Sequence, residues 1–97
     1  MKPAPFEKLL VKLEDVFKSK DSGYPISADH CFLRVAYDAL FPDPWDRHLA
    51  KPAWKHLSLA QTEMVQQLLT EMIHDPATCQ KLNSESLKKR RNTHQDL

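Results

Sequence analysis

The chain has a single glycine, Gly23, in 97 residues. Loops that cradle phosphates need several, because the backbone must approach the anion closely. The usual nucleotide-binding domains are therefore excluded. Cysteine is almost as scarce: Cys31 and Cys79 stand far apart, with no C-x-x-C, and the five histidines form no H-x-x-x-H. Zinc sites ordinarily show at least one such close pair. His30 and Cys31 are adjacent, so on a helix they point to different sides. No metal and no cofactor is expected. Charge of one sign is lacking as well: 14 basic and 13 acidic side chains leave a net +1, so nothing global draws the chain to nucleic acid or to an anionic membrane. No apolar run approaches the roughly 18 residues of a membrane helix. Convincing strand alternations, internal repeats and low-complexity tracts are also missing. Met1-Lys2-Pro3 leads straight into an amphipathic segment, from which we expect a cytoplasmic protein whose reduced thiols fill the core.

What is present is helical periodicity. Hydrophobic residues make up 41% of the chain and charged residues 28%, a balance that suits one small globular domain. Phe6, Leu9, Leu10, Leu13, Val16 and Phe17 follow the i, i+3, i+4, i+7 spacing of one helical face, and Pro3 and Pro5 suit its start. This predicts a helix over about 4–19. Lys20 to Pro25 is a turn by chemistry, and Ser27 reads as the N-cap of the next helix. Phe32, Val35, Ala36, Ala39 and Leu40 give that helix an apolar stripe, predicted over 28–41 and ended by Pro42 and Pro44. Ser58 with Gln61 is a capping-box pattern. It opens a helix over 59–74 with the stripe Met64, Val65, Leu68, Leu69, Met72 and Ile73. Beyond Asp75-Pro76 the apolar content thins to Cys79, Leu82 and Leu87. The expectation there is a short helix over 76–82 and, from 84 to 97, a basic tail, partly helical or frayed. The fold class is all-α: a compact bundle of three to four helices, with residues 1–83 forming the domain.

The segment Phe41 to Trp54 stands apart. It holds three prolines and both tryptophans of the chain, and Pro44 would open a short helical turn over 44–50. Each indole ring wants a large apolar contact. The rings would either plug the open side of a three-helix core or line a binding pocket.

The densest polar cluster lies beside that connector. His30, Arg34 and Asp38 are spaced i, i+4, i+8 on one helical face, with Tyr37 alongside and Trp45 following within a turn of the helix end. One reading is an Arg34–Asp38 ion pair on a solvated face, worth a few tenths of a kcal/mol. The other is a small anion or carboxylate site, with Arg34 as the fork and His30 as a switchable donor. His30, Arg34, Tyr37, Asp38, Trp45 and Trp54 form the candidate binding cluster. Lys88, Lys89, Arg90 and Arg91 are the one real charge block and would be the contacts to phosphates, although the block carries no aromatic residue to stack on bases. Nucleophilic chemistry has little support, since Ser27 and Ser58 are explained as caps and only Cys31 beside His30 pairs a nucleophile with a base.

The string Ala28-Asp29-His30-Cys31-Phe32-Leu33-Arg34-Val35-Ala36-Tyr37-Asp38, followed by Trp45 and by Lys51 to Ser58, resembles a group of short bacterial proteins, some labelled GCN5-related acetyltransferases. The resemblance covers roughly residues 27–73 and singles out His30, Cys31, Arg34, Asp38, Trp45, Pro52 and Ala53. The acetyltransferase label implies a mixed fold of sheet and helix with a glycine-containing loop for the pyrophosphate of acetyl-CoA. The present chain has neither, so the label fits a fused or neighbouring domain. The expected function is a small interaction or regulatory module that presents the cleft between the second helix and the connector to a protein partner or a small anionic ligand, as a monomer or homodimer. The alternatives are a small enzyme with His30 as acid or base and Arg34 holding an anionic substrate, and nucleic-acid contact through the basic tail. Neither catalysis nor nucleic acid is the leading expectation, and no membrane association is expected.

Overall fold

The computed structural model describes residues 2–17 and 29–95, the side chains of Phe17 and of 92–95 excepted. The predicted turn at Lys20–Pro25 and the predicted cap Ser27 lie outside those residues. The described residues form four α-helices and no strand: α1 (Glu7–Phe17), α2 (Asp29–Asp38), α3 (Leu59–His74) and α4 (Pro76–Gln95). A 3-10 turn, Ala4–Phe6, leads into α1. Two more, Trp45–Arg47 and Ala53–Lys55, punctuate the connector between α2 and α3. The first is the predicted turn after Pro44. The second was not anticipated and begins after Pro52, whose peptide bond to Lys51 is cis.

α1 packs on α3, α3 on α4, and α2 on both α3 and α4. The radius of gyration is 13.1 Å, the value for a folded chain of about this length. The core is built from the predicted stripes. Phe6, Leu10 and Leu13 of the first segment are fully buried against Phe32, Val35 and Ala36 of α2 and Val65, Leu69 and Met72 of α3. Cys79 of α4 is fully buried among them, and burial pushes its thiol up to about 11. Met64 is a correction: it belongs to the predicted stripe of α3 but is half exposed. The capping box of α3 is formed, with Ser58 Oγ accepting from Gln61 N–H at 3.1 Å and Gln61 Oε1 accepting from Ser58 N–H at 2.9 Å. Gln66 then donates to the carbonyl of Pro5 at 3.1 Å, which fastens the first segment to α3.

Two boundaries differ from expectation. α2 ends at Asp38 rather than 41, because the chain tightens there into i→i−3 bonds, Leu40 N–H to Tyr37 O at 3.0 Å and Phe41 N–H to Asp38 O at 3.3 Å, ahead of Pro42. α4 is one helix of 20 residues, not a short helix followed by a basic tail. Its second half has little apolar periodicity and is held by polar contacts to α2. None of its described residues, or those of the other helices, makes a span long and apolar enough to cross a membrane.

Candidate functional site

α2 positions the site. One face of it enters the core through Phe32, Val35 and Ala36, and the neighbouring face turns His30, Leu33, Arg34 and Tyr37 toward the connector. The connector folds back over this face. Trp45 lies edge-on to Tyr37 with ring centroids 5.5 Å apart, and Tyr37 lies edge-on to Phe6 at 6.3 Å. The aromatic column thus runs from the core to the surface. Between α2 and the connector is an open cleft of about 630 Å³. Its floor is Leu33, Tyr37 and Ala53, its far wall is Trp45, Pro52 and Trp54, and Arg34, Lys51 and Arg90 bring cations to it. Both tryptophans are half-buried, pack against the core and face the cleft. The two readings of the rings, as core plug and as pocket lining, therefore describe the same contacts. Burial raises the Tyr37 hydroxyl to about 12, so it stays a neutral phenol throughout the ordinary pH range.

Five of the six residues in the predicted cluster meet in this cleft: His30, Arg34, Tyr37, Trp45 and Trp54. Asp38 does not. It is fully buried, and its carboxylate accepts from three residues on two segments, the connector and α4. Trp45 N–H reaches Oδ1 at 2.9 Å and Ser86 Oγ–H reaches Oδ2 at 2.6 Å. Arg90 closes on both oxygens, Nε to Oδ2 at 3.0 Å and Nη2 to Oδ1 at 3.2 Å. A buried carboxylate is tolerated only when its lone pairs are met by donors and its charge by a cation, and here both conditions hold. The fork geometry of the guanidinium is what allows one side chain to meet both oxygens.

The Arg34–Asp38 ion pair suggested by the i, i+4 spacing does not form. Arg34 donates from Nη2 to Asn83 Oδ1 of α4 instead. Among the described residues no carboxylate lies within salt-bridge distance of Arg34, and its Nε is buried without a hydrogen-bond partner. His30 stands at the mouth with its side chain 82% exposed, Nδ1 3.9 Å from Asp29 Oδ1. That separation is beyond hydrogen-bond length, so the carboxylate does not orient the imidazole as an acid–base pair would require.

The basic block is divided in the same way. Lys89 and Arg90 turn inward: Lys89 Nζ donates to the carbonyls of Asp38 at 2.7 Å and Phe41 at 2.9 Å, at the negative end of the α2 dipole. Lys88 and Arg91 are exposed. The expectation of a basic tail over 84–97, partly helical or frayed, is thus corrected, because the helix continues to Gln95 and two of the four cations, Lys89 and Arg90, fasten it to α2 and the chain that follows. One feature of the sequence pointed this way. An acidic residue in the last turn of a helix opposes the helix dipole, so Asp38 needed cations from elsewhere, and 88–91 is the chain's only dense block of them. Lys51 is a cleft residue that the cluster omitted; its position beside Pro52 in the connector was the available hint. Of the residues that carry the family resemblance, His30, Arg34, Trp45, Pro52 and Ala53 line the cleft, while Cys31 and Asp38 do not. Among the described residues, no group of three His, Cys, Asp or Glu side chains is placed to hold a metal ion.

No family model matches this chain, and neither a curated protein nor a solved structure does.

Proposed function

We propose that this chain is a small binding module that captures an anionic group carried on an apolar body, in the cleft between α2 and the connector. The observation that carries the reading is Arg34: a guanidinium at the wall of an aromatic-lined cleft, with no carboxylate partner among the described residues and a buried Nε left unmet. A guanidinium that lines the cleft and has no carboxylate partner among the described residues offers an incoming carboxylate or phosphate oxygen a charge-assisted bond. The cleft volume of about 630 Å³ lies within the range of sites that enclose a small ligand or the anchoring side chains of a partner. Trp45, Trp54 and Tyr37 would supply the apolar contact and Arg34 the orientation.

The test uses phenylacetate, one ring and one carboxylate, titrated against the intrinsic fluorescence of the two tryptophans. The expected result is saturable binding that weakens at least about tenfold in Arg34→Lys, which keeps the charge but loses the fork. The melting temperature of that variant should stay within about 4–8 °C of the parent, the shift that 1 kcal/mol makes in a domain of this size. Equal binding by parent and Arg34→Lys would overturn the reading. So would a screen in which no carboxylate, phosphate or sulfonate stabilises the protein.

A further inference from the structure

Tyr37 carries a polar group that the fold does not use. The residue is only 5% exposed, and its ring is wedged edge-on between Phe6 and Trp45. A tyrosine buried this deeply ordinarily has its hydroxyl met by a partner. Here the hydroxyl neither donates nor accepts a hydrogen bond among the described residues. Among those residues Arg34 Nε is the one buried side-chain nitrogen or oxygen that lacks a partner. The Tyr37 oxygen lacks one too, so it is not sealed in and reaches open space. The space that Tyr37 borders is the cleft, whose floor it forms with Leu33 and Ala53. Arg34 lines the same cleft three positions earlier on α2, which makes the two side chains neighbours on the helix surface. They are nevertheless separate polar points. No hydrogen bond joins them among the described residues. Burial alone raises the pKa of the phenol, without the opposing pull that a guanidinium in contact would exert.

Resting on the binding function above, we propose that the ligand of this cleft is a hydroxy acid, whose anionic oxygen meets Arg34 and whose hydroxyl meets the hydroxyl of Tyr37. A phenol both donates and accepts. A ligand hydroxyl answers both halves, whereas a carbonyl oxygen answers only the donor and an ammonium only the acceptor. The division of labour follows from where the groups sit. Arg34 fixes the anion, the rings of Trp45 and Trp54 cover the apolar body, and the Tyr37 hydroxyl at the floor tests what that body carries. A site that pairs a ligand hydroxyl discriminates strongly against the analogue without one, because the analogue covers the protein's polar group and leaves it unmet. Tyr37 is thus a specificity-determining residue of the anion site.

The experiment titrates three acids of one size into the full chain by calorimetry. Phenylacetate has no hydroxyl, mandelate has one on the carbon next to the carboxylate, and 4-hydroxyphenylacetate has one at the far end of the ring. At least one of the two hydroxy acids is expected to bind about tenfold tighter than phenylacetate. Tyr37→Phe keeps the ring and removes only the unpartnered hydroxyl, so its melting temperature should stay within about 4–8 °C of the parent. That variant is expected to erase the tenfold gain and to leave phenylacetate binding within about twofold of the parent. Arg34→Lys is expected to weaken all three acids. If phenylacetate binds in an Arg34-dependent way and neither hydroxy acid binds tighter, the hydroxy-acid assignment is overturned and the anion site stands. This comparison uses the unaltered chain and so decides the matter even if Tyr37→Phe fails to fold. A gain that survives Tyr37→Phe also overturns the assignment, because another group then meets the hydroxyl. So does an equal loss for all three acids in a folded Tyr37→Phe, which would put the phenol on the carboxylate. If none of the acids binds, both the assignment and the anion site fall.

Discussion

Arg34 and Asp38 stand one turn apart on α2 and are treated in opposite ways by the rest of the chain. Around Asp38 the protein closes completely: four hydrogen bonds from the connector and α4 converge on a carboxylate with no solvent exposure. Around Arg34 it stops short, with one bond to Asn83 and one buried nitrogen unmet. The difference separates a charge that serves the fold from a charge that the fold leaves available. A fully satisfied buried ion pair has nothing left to offer a ligand, whereas an arginine that lines a cleft without a carboxylate partner among the described residues has.

That contrast can be broken most severely at the closed end. Asp38→Ala leaves Arg90 and Ser86 facing a vacated site and frees the connector, and should cost about 3 kcal/mol, read as the midpoint of urea unfolding. A loss below about 1 kcal/mol would mean that water replaces the carboxylate and that Asp38 is no hub. Next in size, Ser86→Ala should cost about 1 kcal/mol, since it removes the 2.6 Å bond to Oδ2 and leaves the other three in place. Lys89→Met should cost a similar amount or slightly less, because it uncaps the carbonyls of Asp38 and Phe41 but keeps an alkyl chain over the same surface. At the open end the effect on stability should nearly vanish. Arg34→Met gives up the Asn83 bond and also removes the unmet Nε, so the net change should lie within about 1 kcal/mol of zero. The same variant should lose anion binding. A large destabilisation from Arg34→Met would erase the distinction between the two residues.

Near neutral pH the smallest effect should come from Tyr37 and Cys79, whose ionisation burial suppresses. Both pKa values are raised on folding, Tyr37 from 10.0 to about 12 and Cys79 from 9.0 to about 11. The stability tied to keeping them neutral is therefore complete below about pH 9 and is lost as pH rises through the window from 9 to 12. Unfolding midpoints should be flat up to the start of that window and fall inside it, and Tyr37→Phe should flatten the upper part of the fall. A protein that kept its full stability at pH 12 would show that neither group is buried in solution.

How far the sequence could be read depended on which force sets each element. α1, α2 and α3 are set by apolar periodicity and capping. Phe6, Leu10, Val35 and Leu69 lie where their spacing puts them, and the Ser58–Gln61 box opens α3 as its chemistry requires. α4 is set by something else. Asn83, Ser86, Lys89 and Arg90 fasten its second half to α2 through polar bonds, and polar residues carry no visible period when their partners are some fifty positions away. The same blindness affected the cluster on α2. Local spacing offered Arg34 to Asp38 as a neighbour on the helix, and nothing in the string weighed that local pair against Arg90. The cleft residues Trp45 and Trp54 were legible because two indoles in a proline-rich connector need apolar surface wherever they sit. Pro52 and Lys51 join that cleft only once the chain has folded back.

The bond between Arg90 and Asp38 also bears on how the molecule is made. A chain synthesised from its N-terminus has α1, α2, the connector and α3 in hand before Ser86, Lys89 and Arg90 exist, and a domain folds as a unit. Until α4 arrives, Asp38 has only the Trp45 backbone to bond with, and the connector lacks the donors that hold the α2 end in place. The cleft between α2 and the connector is therefore completed last, although nearly all of its lining is made first. A polypeptide truncated before residue 86 would carry both tryptophans and Arg34 and still lack the Ser86 and Arg90 bonds that hold Asp38 at the end of α2.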